Sequence, residues 1–398
     1  MELSNEDTLC LNVLLAAGVQ AIRIDESSMT VYGLTPRGEA AVQLHPVGRN
    51  DQYARLVREM LAAQVLDSPG GYPIYLRRWT RMGQLREENL PQLLLTGEPE
   101  AVVAVVHAPG LSDELARRAW WALPTFENAR RMLEREAVSR GGTGKVLAQY
   151  LVEHFPFEED PCIIMETVGV LLRAGLLDEQ ARENLWKKGA HKNTYYVGFL
   201  QQTPDTLPRR LPPRGDWDTA DTRLAALRTG NNPYAEQLRR LLSGPGQTFL
   251  SACESVLRRP ESQEVVSAVL DAIGAYFGPI RRAGYATVEG IMEETERLCG
   301  PGPTGNERPR ALEELLQAVP ALKPEVRAML VLSCVGSDLS APVFARSTAI
   351  GSLMRRKLEP VLGPLFRQFA VLRTLQRPVG MQPRQEHVHP EEGEGGHE

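Results

Sequence analysis

The sequence predicts a mainly α protein, in which a small α+β N-terminal unit leads into an irregular helical array, HEAT-like or bundle-like. Three observations carry this. Alternation of apolar and polar side chains is confined to the stretch from Gln20 to Pro46. From Glu88 onward apolar residues recur at the three-to-four spacing of helices, in runs cut by Gly or Pro. And 398 residues exceed one ordinary domain of roughly 150 residues.

The elements follow in order. Ser4 is a good N-cap with Asp7 three residues on, an Asp variant of the capping box, so a helix is expected through Leu9–Ala17, ending at Gly18. Two or three short antiparallel strands come next, around Ala21–Ile24, Met29–Tyr32 and Glu39–Leu44, with Thr35, Pro36 and Gly38 as a turn cluster. Tyr53, Leu56, Val57, Met60 and Leu61 form one stripe of a helix over Asp51–Val65, stopped by Pro69, Gly70 and Gly71. These elements make an N-terminal unit over residues 1–82.

A first helical block, 83–203, contains Glu98–Ala108, Asp113–Leu123 (capped by Ser112), Phe126–Arg140 (capped by Thr125), Lys145–Phe155, Cys162–Leu177 and Glu179–Lys188 (capped by Asp178). Residues 204–215, with Pro204, Pro208, Pro212 and Pro213 among arginines, read as a stiff linker. A second block, 216–376, contains Thr219–Arg228, Asn232–Leu242, Gln247–Arg258, Ser262–Arg282, Thr287–Cys299, Arg310–Val319, Pro324–Val335 and Pro342–Arg373, the last interrupted by Pro360 and Pro364. Residues 377–398 carry Gly, Pro, His and Glu with almost no bulky apolar side chain. Such a segment cannot offset its own ordering entropy and is expected to be disordered.

Composition narrows the function classes. Hydrophobic residues at 42% and charged residues at 24% are a globular balance. Mean hydropathy is -0.26, and no apolar run reaches the ~18 residues of a membrane span. The start, Met1–Asp7, lacks the basic flank and apolar stretch of a secretory signal, so a cytoplasmic location is expected. The net charge of -5 argues against a dominant nucleic-acid role. Only six of the 45 basic residues are lysines. That bias fits a GC-rich genome, or a surface that grips carboxylate or phosphate with arginine forks.

No assembled chemistry is legible. Gly141-Gly142-Thr143-Gly144-Lys145 resembles the end of a phosphate loop, but Ser139 stands where Gly is needed and Val146 follows the lysine. An inter-helix loop explains it better. His387, His389 and His397 among glutamates offer metal ligands but no fixed geometry, and no metal or cofactor is assigned. The five cysteines are scattered and read as reduced thiols. Cys10, Cys162, Cys253 and Cys334 fall in apolar helices, whereas Cys299, beside Gly300, is expected to be the exposed one and the candidate reactive thiol. No catalytic residue is assigned.

Aromatic residues mark three further places. Tyr72, Tyr75, Arg77, Arg78, Trp79, Arg81 and Arg86 interleave rings with guanidiniums, suited to phosphate, stacked bases or an acidic partner. A joint between the N-terminal unit and the helices is the plainer reading. Adjacent Trp120 and Trp121 point ~100° apart on a helix, so both are covered only where two neighbours flank it. Asn193-Thr194-Tyr195-Tyr196, after the basic Lys187–Lys192 stretch, reads as a structural cap.

At these segments the chain resembles the DsrS family, soluble cytoplasmic proteins encoded beside the reverse dissimilatory sulfite reductase of sulfur-oxidising bacteria. The resemblance lies in Gln20–Ser27 (QAIRIDES), Ser68–Arg81 (SPGGYPIYLRRWTR), Gly97–Leu133 and Lys192–Leu200 (KNTYYVGFL). It spans most of residues 1–205 and is looser beyond. These motifs specify a family and no reaction, so no catalytic residue is carried over. The resemblance implies an accessory role in oxidising stored sulfur. Together with the helical array, it leads to the expectation of a non-enzymatic interaction protein acting on proteins of the sulfite reductase system, with Tyr75, Arg77, Arg78, Trp79 and Arg81 as contact residues. An RNA-binding regulator using the same patch, and a cysteine-based sulfur carrier, are the alternatives.

Overall fold

The computed structural model describes residues 2–66, 89–282, 285–300, 308–346 and 349–373. The stop at Pro69–Gly71 and the tail 377–398 lie outside the described residues. So do the proposed contacts Tyr75, Arg77, Arg78, Trp79 and Arg81.

Ser4 caps the first helix, α1 (Asn5–Ala16), its Oγ accepting the Asp7 N–H at 3.0 Å. Gly18 then turns the chain at φ 75°, a left-handed backbone that favours glycine. Three strands follow, β1 (Ala21–Asp25), β2 (Thr30–Thr35) and β3 (Gly38–Gln43). They form one antiparallel sheet in the order β1-β2-β3, with Ile24 opposite Val31 and Tyr32 opposite Ala41. Asp25 closes the β1–β2 turn by accepting from the Ser27 N–H at 2.9 Å and the Ser27 hydroxyl at 2.6 Å. Helix α2 (Asn50–Leu66) completes a small core of its own, in which Leu11, Leu14, Val31, Tyr53, Val57 and Leu61 meet. Gly33 sits where a Cβ would come within 2.8 Å of Leu14, so only glycine lets α1 approach β2 this closely.

The remaining described residues are mainly helical. The first block runs α3 (Leu90–Leu93), α4 (Pro99–His107), α5 (Asp113–Ala122), α6 (Phe126–Leu133), α7 (Glu136–Ser139), α8 (Gly142–His154), α9 (Pro161–Arg173), α10 (Glu179–Lys188) and α11 (Thr194–Gln202). The second runs α12 (Trp217–Thr229), α13 (Pro233–Leu242), α14 (Gly244–Arg258), α15 (Gln263–Tyr276), α16 (Val288–Cys299), α17 (Arg310–Ala318), α18 (Lys323–Ser333), α19 (Ala341–Phe344) and α20 (Gly351–Arg373). One continuous apolar core extends from Leu90 to Leu372 through both blocks. Helix α11 packs on α9, α14 and α15, and the last helix, α20, returns to pack on α14 and α18. The second block thus closes on itself.

Ser112, Thr125 and Asp178 cap their helices as expected. Several boundaries differ. The run Phe126–Arg140 is two helices, because the backbone of Arg135 is extended at φ -87°, ψ 123°. The helix expected to run to Arg282 stops at Tyr276, and Pro279 takes the chain into a single 3₁₀ turn, Gly278–Ile280. The segment expected as one interrupted helix from Pro342 is α19 and α20, separated before Gly351 at φ 62°. Pro360 and Pro364 do not interrupt α20. They lie four residues apart, away from the buried stripe Leu358, Leu362, Leu365 and Phe369, so the missing N–H bonds fall outside the core.

The proline stretch before Gly215 is held against the second block. Leu207 and Arg214 are buried. The Leu211 N–H donates to Thr248 Oγ1 at 2.9 Å, and the Arg214 N–H donates to the Leu242 carbonyl at 2.9 Å.

Candidate functional site

The two blocks meet at α11, and the meeting is built from capping groups. The N-terminal N–H groups of a helix have no partner within it. At α11 the Glu261 carboxylate supplies one, accepting the Asn193 N–H at 2.6 Å and also bonding the Thr194 N–H. Burial pushes the Glu261 carboxyl up from its ordinary value despite these bonds. Asn193 Nδ2 reaches back to the Arg259 carbonyl at 2.7 Å, and Lys192 Nζ donates to the Glu158 carbonyl at 2.8 Å. The segment read as a structural cap is therefore the start of a helix that sequence reasoning missed. Its cap comes from the other block.

Beside this joint a cleft of about 450 Å³ opens between the 189–196 segment and the exposed side of α14. A smaller one of about 100 Å³ continues it toward the proline stretch, and the two share Tyr196 and Ser255. They form one groove. Its α14 wall presents Thr248, Ser251, Ala252, Ser255 and Arg258, the three-to-four spacing of one helix face. On its other wall Tyr196 leans on Trp186, ring centroids 4.3 Å apart, and Trp186 is itself covered by Phe199.

The charge in the groove is unevenly matched. Arg258 pairs with Glu254 at 2.5 Å and lies over Phe366 at 4.6 Å. Arg373, at the end of α20, pairs with the same Glu254 and donates to Ser251 Oγ at 3.2 Å. Arg209 at one end and Arg259 at the other are exposed, and neither has a carboxylate partner among the described residues. His191 is exposed on the same rim. Among the described residues the one carboxylate lining the groove, Glu261, is held by N–H groups at the start of α11. A separate cleft of about 260 Å³ beside α7 and α9 holds the Arg140–Glu136 pair at 2.6 Å and a single exposed cation, Arg173, without a carboxylate partner among the described residues.

Other candidates resolve differently. Gly142 and Thr143 open α8, and the Asp113 carboxylate accepts both of their N–H groups at 3.1 Å. A Cβ on Gly141 would fall 2.2 Å from Asp113 Cγ, so the glycine is what admits the carboxylate. The phosphate-loop-like motif is a helix start whose anion position is taken by the protein itself. Trp120 packs edge-on to Tyr150 at 4.7 Å. Trp121 donates to Glu39 Oε2 at 3.1 Å and lies under the Arg23 guanidinium at 5.0 Å. The tryptophan pair thus joins the sheet to the first block.

The expected exposure of Cys299 is corrected. Cys299 is only 4% exposed, because it shares a face of α16 with Ile291 and Thr295, and burial pushes its thiol up. Cys10 and Cys162 are the exposed cysteines. No group of three or more His, Cys, Asp or Glu among the described residues could hold a metal ion. No helix among them is long and apolar enough to cross a membrane.

One polar cluster had no sequence signal beyond the Ser4 cap. Asp7, almost wholly buried, accepts from the Tyr53 hydroxyl at 2.5 Å and from the His45 N–H at 3.0 Å, and its other oxygen lies 3.0 Å from His45 Nδ1. The His45 ring is otherwise in water. Its bond to Asp7 raises the imidazole above its ordinary value.

Comparison of the chain with protein-family models, curated proteins and solved structures finds no match.

Proposed function

We propose that the chain is a non-enzymatic accessory protein that docks a partner protein along the groove between α11 and α14. The observation that carries this is the pairing of a continuous groove with Arg209 and Arg259, cations at its two ends without a carboxylate partner among the described residues. Arginine forks at a rim recognise carboxylates bidentately, and a helical array offers extended surface for such contacts. The resemblance of most of residues 1–205 to the DsrS family supplies the setting, a cytoplasmic role with proteins of the dissimilatory sulfite reductase system.

The test is affinity capture from sulfur-grown cells at low salt, with and without nuclease. Sulfite reductase subunits recovered with the natural chain and lost with Arg209→Glu/Arg259→Glu support the reading. Equal recovery by both proteins removes the groove from it. The same capture with Arg77→Glu/Arg78→Glu tests the arginine-aromatic segment as a second contact. Recovery abolished by nuclease would move the protein to the RNA-binding class. A sulfur carrier needs an accessible thiolate; burial opposes that role for Cys299, and among the cysteines it would fall to the exposed Cys10 or Cys162.

A further inference from the structure

We infer that the groove binds an extended acidic peptide with carboxylates about five residues apart; this rests on the docking role proposed above and names the chemistry of its occupant. Arg209 belongs to the end of the groove where Leu211 is tied to Thr248, and Arg259 to the end beyond Ser255. From Thr248 to Arg259 the α14 wall runs eleven positions, or about 16 Å at the helical rise. An extended chain covers about 16 Å in roughly five residues. Carboxylates at that spacing meet both free guanidiniums at once. Between the two ends Ser251 and Ser255 offer hydroxyls to a peptide backbone, and Ala252, with the buried Val256 beneath it, offers a shallow apolar patch for a small side chain. The mode is recognition of an acidic motif by arginines.

The same walls disfavour a nucleic acid. Single strands are held by exposed ring faces on which bases stack. Here Trp186 is 9% exposed, covered by Tyr196 and Phe199, which leaves among the described residues the part-exposed Tyr196 and, on the rim, the His191 imidazole, too few rings for a run of stacked bases. Two unpaired arginines are also few for tracking a phosphate backbone, on a chain whose net charge is -5.

The experiment is fluorescence anisotropy on the full chain with three labelled probes: an oligoglutamate, the matching oligoglutamine and an oligouridine. Expected is saturable, salt-sensitive binding of the oligoglutamate and none of the oligoglutamine. Affinity should fall about tenfold with Arg209→Glu or Arg259→Glu alone, and further with both, one charge-assisted pair being lost each time. Neither side chain has a hydrogen-bond or ion-pair partner among the described residues, so the variants should keep the natural melting temperature. A tighter, charge-dependent grip on the oligouridine would overturn the peptide assignment in favour of RNA. Absence of oligoglutamate binding, while partner capture from cells still depends on Arg209 and Arg259, would overturn the occupant and leave the docking role intact. Capture indifferent to both arginines would remove the docking role itself.

Discussion

Arg214 and Glu325 meet at 3.0 Å with side-chain exposures of 2% and 4%, an ion pair almost wholly out of water. The guanidinium also holds Asp216 at 2.6 Å, and it donates to the Val371 carbonyl. One side chain thus ties the segment before α12 to α18 and α20. Glu325 Oε2 has no hydrogen-bond partner, so the carboxylate depends on Arg214.

Arg214→Met should destabilise the fold by about 3–5 kcal/mol, because it strands a buried carboxylate. Arg214→Met with Glu325→Leu should cost clearly less, since no charge is then left in the core. Urea unfolding of both variants checks this, and equal losses would refute the dependence.

The Asp7–His45 contact predicts a pH window. The His45 imidazole is raised above 6.5 by its bond to Asp7. Its contribution is therefore fully present below pH 6.5 and fades as pH rises through the raised value. Burial pushes the Asp7 carboxyl up, but the bonds from Tyr53 and His45 outweigh it and hold it below 3.8. That contribution is present above 3.8 and is lost as pH falls through the lowered value. The advantage of the natural protein over His45→Gln, read by hydrogen exchange in residues 4–66, should shrink from pH 6 to pH 9.

Asp113→Ala should cost about 1 kcal/mol, the usual worth of a helix N-cap, with Asp113→Asn in between. Nucleotide with magnesium should not shift the melting temperature of the natural protein, because Asp113 fills the position a phosphate would take. A nucleotide-induced rise would contradict this.

Thiol labelling should separate the cysteines by accessibility. Cys10 and Cys162 should react with an alkylating reagent in the native protein, and Cys253, Cys299 and Cys334 only on unfolding. Burial pushes the thiols of Cys253, Cys299 and Cys334 up, which adds to their protection. Native labelling at Cys299, read by peptide mass spectrometry, would reopen sulfur chemistry there.

What the sequence disclosed follows the range of its interactions. The sheet was legible because alternation in Gln20–Pro46 and the turn residues are local, and Ser4, Ser112, Thr125 and Asp178 cap helices within three residues of themselves. Helix α11 was not, because Glu261 supplies its cap from far along the chain. The early start of α8 was hidden for the same reason, its cap being Asp113. Cys299 is a different case: Ile291, Thr295 and Cys299 recur every four residues, and that pattern outranked the neighbouring Gly300 and acidic residues. The groove needed three remote segments brought together, which no local pattern announces.

The proline stretch ends in an arginine wedged between distant helices, and this bears on how the chain tolerates being cut. A protein trimmed at residue 203 would bare the faces of α9 and α11 that α14 and α15 cover. One begun at residue 216 would leave Glu325 stranded. The stretch read as a stiff linker works also as a keystone. Fragments divided there should be insoluble apart and recover their shape only when produced together.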